Sequence, residues 1–413
     1  MTSPRILTTA ALAVVVSASL LTGPQAGSTP DISTDTGSEI SSTSETGESA
    51  PSSWVGLAGT QRIRLEALPQ VVQQGGRVAS PDAAKAAITA TIRPIDAGRK
   101  VWLQVQRDSY WESVTWVRQD DRGRAEFAAV AAEAGLPRTY RIRAATRPGL
   151  PAVTSESVSA ARWLTPTWTD EFSGSSLSPT WHHRGQAYEG QSLRRCSQGD
   201  PGAVEVRGGA VRLSVLKDTS RTSRCEARVN GQVAGKYAYR LNGHIGTQRS
   251  FSFTYGFAAA RIKFHDLRGQ HGAFWMQPMD GMYPGGTGHE IDVVEYFGHN
   301  PERSGLTSFI HRYEGDRVVR IGGRIDDLRS YLRSRSDGWA TKYHVFSVQW
   351  TPRMLIFRID GKETIRIRGN ISSVAQYPIL SLLSSDYEIP RITDSQLPQH
   401  MYVDWVRVWE TGA

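Results

Sequence analysis

The sequence is poor in cysteine, in long apolar runs and in clustered charge. Its 413 residues include only 2 cysteines, too few and too far apart for a zinc site. After the first residues, no apolar run reaches the ~20 residues that a membrane helix needs. Lys and Arg outnumber Asp and Glu by 48 to 40, but they form no block of five or six. We therefore expect no zinc site, no later membrane span and no nucleic-acid partner.

The amino terminus has the pattern of an export signal. Arg5 precedes an apolar run from Ile6 to Leu21, and small residues follow around Ala26. We interpret residues 1–26 as a removed signal peptide, the alternative being a membrane anchor. Residues 27–53 are rich in Ser, Thr and Gly, and we predict a disordered linker there. Export predicts a secreted, extracellular protein, and the net charge of +8 would suit association with an anionic cell wall.

The two cysteines, Cys196 and Cys225, fit an oxidising compartment. A disulfide between them would close a loop of about 30 residues, a length at which a crosslink stabilises measurably. Two buried free thiols are the alternative.

Residues 54–163 are predicted to form an accessory β-domain. Short runs alternate apolar and polar residues with turns between them, and these runs are Arg62–Leu65, Ala90–Ile92, Val101–Gln106, Ser113–Val117, Ala125–Phe127 and Tyr140–Arg143. About seven strands over ~110 residues are typical of an immunoglobulin-like sandwich. We expect a spacer or a wall- or glycan-binding module. Trp102, Tyr110, Trp111 and Trp116 are expected in its core, whereas exposure of any of them would favour binding.

Residues 164–413 read as an all-β sandwich of the jelly-roll type. Strand-like runs recur at Ala210–Val215, Gly256–Phe264, Gly272–Met276, His344–Trp350, Met354–Ile359, Tyr377–Leu383 and Met401–Trp409. The only good helix candidate is the short segment Ile325–Arg333.

Three carboxylates occupy six residues at Glu290, Asp292 and Glu295. Glycoside hydrolysis needs one carboxylic acid to protonate the leaving oxygen and one carboxylate as nucleophile or base. The alternative is a surface strand with incidental acids. Like charges on one face repel unless the site uses them, and crowding should raise the pKa of one Glu, as a general acid requires.

The spacing sets a geometric condition for these carboxylates to converge. On a helix they would point in different directions. On a regular strand Glu290 and Asp292 share a face, but Glu295 points to the other one. A β-bulge at Val293–Val294 would return Glu295 to the same side, and bulges are frequent next to active sites.

The surrounding segments resemble the family 16 glycoside hydrolases. Besides the six-residue Glu290–Glu295 pattern, which is the family's laminarinase-like bulged form, the matching segments in chain order are Phe251–Gly256, Ala260–Lys263, Gly272–Met276, Phe309–His311, Trp350–Pro352, Ile359–Lys362 and Val403–Val408. The resemblance spans residues 168–410. One departure is His289, where the family usually has Gly, and its position beside the first Glu leaves the sugar undecided.

The resemblance implies a retaining double displacement. Glu290 would be the nucleophile, Glu295 the acid and base, and Asp292 the residue that holds and tunes Glu290. It also implies that Trp275 stacks near the −1 sugar, although a core position is the alternative. Arg261 and His311 would bind sugar hydroxyls, or else be satisfied structurally.

The resemblance further suggests a structural calcium ion, with Asp404 as side-chain ligand and Gly209 among the backbone ligands. No cofactor is expected for catalysis itself. The expected substrate is a β-1,3- or β-1,3-1,4-glucan, cleaved within the chain. Alternatives are a galactan-cleaving (agarase- or carrageenase-like) hydrolase, a transglycosylase of the same family and a non-catalytic glucan-binding protein. We expect a monomer with no membrane contact after signal removal.

Overall fold

The computed structural model describes residues 55–57, 61–73, 85–299 and 305–411. The predicted signal peptide (1–26) and linker (27–53) lie outside these residues. In the described ranges the regular structure is β strand with a few 3₁₀ turns. No helix in them is long and apolar enough to cross a membrane.

The amino-terminal domain consists of short strands. They are β1 (Val55–Leu57), β2 (Gln61–Ala67), β3 (Ala86–Arg93), β4 (Lys100–Gln106), β5 (Trp111–Arg118), β6 (Arg124–Ala129), β7 (Ala132–Glu133), β8 (Leu136–Pro137), β9 (Thr139–Ala144), β10 (Val153–Thr154) and β11 (Val158–Ser159). Every strand-like run predicted for this domain falls within one of them.

These strands form two sheets with a shared core. One sheet has the order β1-β2-β3-β6, and the other has the order β10-β9-β4-β5 with β11 also on β9. Ile63 and Ile88 of the first sheet pack with Leu103 and Ile142 of the second. The domain is therefore a two-sheet β-sandwich, and its immunoglobulin-like topology stays a prediction.

The predicted core positions of four aromatic residues are wrong. Tyr110 is 60% exposed and Trp116 46% exposed, while Trp102 and Trp111 are half-buried. The three tryptophans point to the outer face of the sheet β10-β9-β4-β5, away from the core, and Tyr110 lies in the turn between β4 and β5. Period-two alternation alone does not tell which face of a strand is buried.

The carboxy-terminal domain is also built from strands. They are β12 (Trp168–Asp170), β13 (His182–His183), β14 (Ser197–Gly199), β15 (Val204–Val206), β16 (Val211–Lys217), β17 (Arg224–Val229), β18 (Gln232–Ala238), β19 (Arg240–Gly246), β20 (Gly256–Lys263), β21 (His271–Pro278), β22 (Glu290–Tyr296), β23 (Leu306–Glu314), β24 (Arg317–Arg324), β25 (His344–Thr351), β26 (Met354–Ile359), β27 (Lys362–Arg368), β28 (Gln376–Leu383) and β29 (Gln399–Glu410). In the described residues the 3₁₀ turns are Ala161–Trp163, Pro201–Ala203, Leu328–Tyr331, Ile389–Arg391 and Asp394–Gln396.

The predicted helix at Ile325–Arg333 is wrong. Only Leu328–Tyr331 is helical, as a single 3₁₀ turn, and Asp327 before it has a left-handed φ of 45°. A helix of this length is marginal without a packed apolar face, so the flanking strands determine the conformation here.

The strands form one continuous hydrogen-bonded order, and its two halves pack face to face as the two layers of a sandwich. The order is β24-β23-β22-β21-β28-β19 in one half and β16-β29-β20-β25-β26-β27 in the other. Ile291 and Phe274 from the first half share a core with Ala260 and Phe346 from the second. The domain is a jelly-roll sandwich, as predicted, and the outer face of the first half carries the carboxylates.

The two cysteines form a disulfide, as predicted. Cys196 and Cys225 are bonded, and both are buried beside Ala227 and Ile389. The bond ties the segment before β14 to the β17–β18 hairpin, and the alternative of two free thiols is excluded.

The two domains pack on each other through an apolar interface. Its buried members are Leu68, Val71, Val72, Ala87, Phe257, Ala259, Val345, Trp405 and Trp409. Trp163 Nε1 donates to the Ala67 carbonyl at 3.0 Å, and Trp409 Nε1 donates to the Trp163 carbonyl at 3.0 Å. Because Phe257 and Ala259 point away from the jelly-roll core, the accessory domain lies on the face opposite the carboxylates.

Candidate active site

A bulge interrupts β22 where the sequence predicts it. Asp292 pairs with Phe309 and Glu295 with Thr307, so Val293 and Val294 together face a single residue of β23. The register with β21 shifts at the same place. The prediction of a bulge at Val293–Val294 is confirmed.

The bulge divides the side chains of β22 between two environments. Ile291, Val293 and Val294 all enter the jelly-roll core. Glu290 and Glu295 are half-buried on the outer side. The strand thus presents both carboxylates to one face, although they are five positions apart.

Glu290 is held by a side chain that the sequence analysis did not name. Gln277 Nε2 donates to Glu290 Oε2 at 2.9 Å. Tyr377 OH and Arg184 Nη2 donate to the other end of the same amide, Gln277 Oε1, at 3.0 and 3.1 Å. With its oxygen taken by two donors, the amide turns its NH₂ group towards Glu290. Gln277 lies two residues after Trp275 on β21, and that spacing was the available signal.

Asp292 and His311 form a buried pair between the two glutamates. His311 Nε2 lies 3.1 Å from Asp292 Oδ2. Burial alone would lower the pKa of His311, but the hydrogen bond to Asp292 and the surrounding carboxylates raise it to about 9. His311 is therefore a cation at neutral pH, and its predicted role as a sugar ligand is limited because Asp292 already occupies its Nε2.

The pKa of Glu290 is raised to about 7. Burial is the main cause, and the charge of Asp292 adds to it, while His311 and Gln277 act in the opposite direction. Burial also raises the pKa of Asp292. Crowding was predicted to raise the pKa of one Glu; the pKa that rises is that of Glu290, the expected nucleophile, and burial contributes more to the rise than the neighbouring charge of Asp292 does.

Two further contacts complete the outer face. Thr307 Oγ1 donates to Glu295 Oε2 at 3.2 Å. Trp275 pairs across the sheet with Asp292, so the two share this face, and its Nε1 donates to Ser381 Oγ at 3.1 Å. Trp275 is half-buried here and is not a core residue, as its predicted stacking role requires.

Arg261 does not belong to this cluster. Its side chain lies on β20 in the other half of the sandwich, where it is 1% exposed and forms an ion pair with Asp404. The prediction that Arg261 binds sugar is therefore wrong, since strand β20 faces away from the carboxylates.

The same ion pair bears on the predicted calcium ion. The Asp404 carboxylate is already neutralised by a guanidinium, and its side chain is 1% exposed. Gly209 lies in the turn between β15 and β16 with φ of 77°. Asp404 and Gly209 do not fit a calcium ligand shell, because the Arg261 guanidinium already occupies the position beside the Asp404 carboxylate that a calcium ion would need.

His289 also lies elsewhere than expected. Its side chain is buried next to β22 at 2% exposure, on the side of the strand opposite Glu290. Burial lowers the pKa of His289 to about 4, so it is neutral. It therefore does not border the sugar directly.

Glu290, Asp292 and His311 also have the spacing of a metal site. One donor atom from each lies within 4.8 Å of the others, the only such group of three in the described residues. The raised pKa of His311 disfavours metal binding at neutral pH, because a metal would have to displace its proton, and we assign these residues to acid–base chemistry.

Comparison with known proteins adds independent information. The sequence model described as "Glycosyl hydrolases family 16" matches residues 212–407. This domain belongs to glycosyl hydrolase family 16. The matched range contains the carboxylates on β22 and nearly the whole jelly roll.

Curated relatives of the family 16 domain are distant. A glucan endo-1,3-beta-glucosidase A1 from Niallia circulans is 26% identical over 59% of this chain and 37% of that protein. A keratan-sulfate endo-1,4-beta-galactosidase from Sphingobacterium multivorum is 24% identical over 59% of this chain and 54% of that protein. The chain thus spans about half or less of these relatives' lengths. Among solved structures, the laminarinase catalytic domain of Thermotoga maritima MSB8 has 18% identity and a TM-score of 0.47, covering 60% of this chain and 99% of its own.

Proposed function

We propose that this protein is a secreted, retaining endo-β-glycanase that cleaves β-1,3- or β-1,3-1,4-glucan. One observation carries the proposal: the bulge at Val293–Val294 puts Glu290 and Glu295 on the same face of β22, with Asp292 between them. Two carboxylates flanking one bond are the requirement for glycoside hydrolysis.

In the first step the Glu290 carboxylate attacks the anomeric carbon while the Glu295 carboxylic acid gives its proton to the departing oxygen. The bond from the anomeric carbon to that oxygen breaks, and an ester to Glu290 forms. Gln277, which donates to Glu290 Oε2, leaves Oε1 as the attacking atom.

In the second step Glu295 removes a proton from water, and the water oxygen displaces Glu290 from the anomeric carbon. Two inversions give net retention. The charged His311 beside Asp292 offsets the repulsion between Asp292 and the regenerated Glu290 carboxylate. Trp275 supplies a ring beside this position for stacking on the sugar.

The substrate class is supported by the relatives' names. The Niallia protein is named as an endo-1,3-β-glucosidase, and a Rhizobium meliloti relative, 27% identical over 34% of this chain, as an endo-1,3-1,4-β-glycanase. The keratan-sulfate galactosidase keeps galactan cleavage as the second candidate. Transglycosylation differs only in the acceptor of the second step. A non-catalytic glucan-binding protein is disfavoured because all three carboxylates of β22 are present.

The test is hydrolysis of laminarin, lichenan, agarose and keratan sulfate by the full chain and by Glu290→Gln, measured as reducing ends. We expect activity on laminarin or lichenan that falls about 10³-fold or more in the variant. Glu205→Gln, on strand β15 away from β22, is the matched control. Equal activity of Glu290→Gln and the unaltered chain would exclude Glu290 as nucleophile.

Retention has its own readout. The first product anomer, followed by NMR, should be β. Glu295→Ala should be rescued by azide with formation of a β-glycosyl azide, because azide needs no base to attack the ester. An α-configured azide would mean that no glycosyl-enzyme forms.

A further inference from the structure

The accessory domain presents a flat face of tryptophans and cations, here called the Trp–cation face. Val101, Leu103 and Ile142 of β4 and β9 point into the domain core, so the alternate residues point outward. With the register of the three strands, the outward residues include the aromatic and cationic side chains Lys100, Trp102, Trp111, Trp116, Arg118, Arg141 and Arg143.

The rings and cations of this face hold one another. Lys100 Nζ lies 4.5 Å from the ring centre of Trp102 and 4.3 Å from that of Trp116. The Arg141 guanidinium lies 4.3 Å over Trp111, and its Nε donates to Gln104. Cation–π contacts at exposed sites are worth about 0.5–1 kcal/mol, so they favour this arrangement before any ligand binds.

The face carries charge of one sign. Among the residues of β4, β5 and β9, the only acid is Glu112. Glu112 pairs with Val105, which points into the domain core. Glu112 therefore lies on the side of the sheet opposite the Trp–cation face, and it accepts a hydrogen bond from Arg107 Nε. Arg118 and Arg143 are exposed, and neither has a carboxylate partner on these strands.

The face is also uncovered by the catalytic domain in the part of the chain that the structure describes. The catalytic domain packs against Leu68, Val71 and Ala87, which belong to β3 and the segment after β2. The Trp–cation face is on the other sheet and points away from that interface. An exposed aromatic surface of this size marks a binding site more often than a structural accident.

We propose that the Trp–cation face binds an acidic polysaccharide whose charges are uronate carboxylates. Tryptophan rings stack on the apolar faces of pyranose rings, and guanidinium forks bind carboxylates in a bidentate manner. A carboxylate is bonded directly to its sugar ring, so a ring stacked on Trp116 brings the carboxylate level with Arg118 and Arg143. Strands ~4.8 Å apart place these cations within one or two sugar lengths of each other.

The test measures binding by the full chain carrying Glu290→Gln, which prevents cleavage. Biolayer interferometry uses immobilised polygalacturonate, laminarin, dextran sulfate and oligo-dT at low and high salt. We expect polygalacturonate to bind more tightly than dextran sulfate and oligo-dT and to be released by salt, whereas laminarin bound in the catalytic cleft should not respond to salt. Arg143→Glu should weaken polygalacturonate binding about tenfold and Trp116→Ala about fivefold. Arg62→Glu, the same charge change on exposed β2 of the other sheet, should change it less than twofold.

The remaining outcomes overturn the proposal. Laminarin binding that Arg143→Glu and Trp116→Ala weaken as much as they weaken polygalacturonate binding would mean a face for neutral sugars, and tighter binding of dextran sulfate or oligo-dT would mean another polyanion. Unchanged binding in both Arg143→Glu and Trp116→Ala would place the site elsewhere. Concentration-dependent dimers that Trp116→Ala abolishes would mean that a second copy covers the face. Loss of hydrolysis in Glu290→Gln tests the catalytic proposal separately.

Discussion

At the scale of single residues, the pKa of Glu290 is subject to opposing effects. Burial and Asp292 disfavour its charge, while His311 and the hydrogen bond from Gln277 favour it, and its pKa ends at about 7. A nucleophile must be ionised, so kcat/KM is expected to rise as the pH increases through about 7.

Two substitutions should move the acidic limb of the pH profile of kcat/KM in opposite directions. Asp292→Asn removes a charge that raises the pKa of Glu290, so the limb should shift down by about one pH unit. Gln277→Leu removes a hydrogen-bond donor that lowers the pKa of Glu290, so the limb should shift to higher pH. Both should reduce kcat by at least about tenfold. The measurement is the pH profile of kcat/KM on soluble laminarin.

Loss of His311 charge in Asp292→Asn does not reverse the expected sign, since Asp292 influences Glu290 more strongly than His311 does. Shifts in the same direction for both variants would contradict this account of the site.

At the scale of elements, the bulge in β22 explains a spacing that a regular strand forbids. Two valines face one residue of β23, and both are buried in the core. The pairing beyond the bulge, Glu295 with Thr307, does not depend on the extra residue.

Deleting Val294 should therefore keep Glu295 on the catalytic face, because four positions after Glu290 is again the same side of a strand. We expect destabilisation of about 1–3 kcal/mol from the lost valine, with activity retained within about tenfold. Deleting Ile291 instead puts Glu290 and Asp292 on opposite faces and should abolish activity. Laminarin hydrolysis and urea unfolding measure both effects, and an inactive but folded Val294 deletion would refute the argument.

At the scale of the whole molecule, the accessory domain is a packed partner of the jelly roll. Trp405 and Trp409 are buried on the outer side of β29 by contact with Val71 and its neighbours. Arg407, between these tryptophans, donates to Gln70 Oε1 at 2.7 Å. The catalytic domain alone would expose both tryptophans.

Val71→Asp should break this interface, because Val71 is 0% exposed and a carboxylate buried there without a partner is costly. We expect a loss of about 3 kcal/mol or more and rapid proteolysis between β11 and β12. Val130→Asp, at an exposed valine of the same domain, is the control. Calorimetry and limited proteolysis report the result, and equal behaviour of the two variants would mean that the interface adds no stability.

The sequence by itself determined the local features of this protein. Alternation located six strands of the amino-terminal domain and seven of the carboxy-terminal domain, and the spacing of Glu290, Asp292 and Glu295 required the bulge that β22 contains. These features depend on residues a few positions apart, and side-chain direction along one strand is a local property.

Only the tertiary structure decided which residues meet across strands. It paired Arg261, the predicted sugar ligand, with Asp404, the predicted calcium ligand. It also turned Gln277 towards Glu290 and left Trp116 on the edge strand β5. Each of these depends on register and neighbours between segments far apart in the chain, which the packing of the two sandwiches determines and no local pattern records.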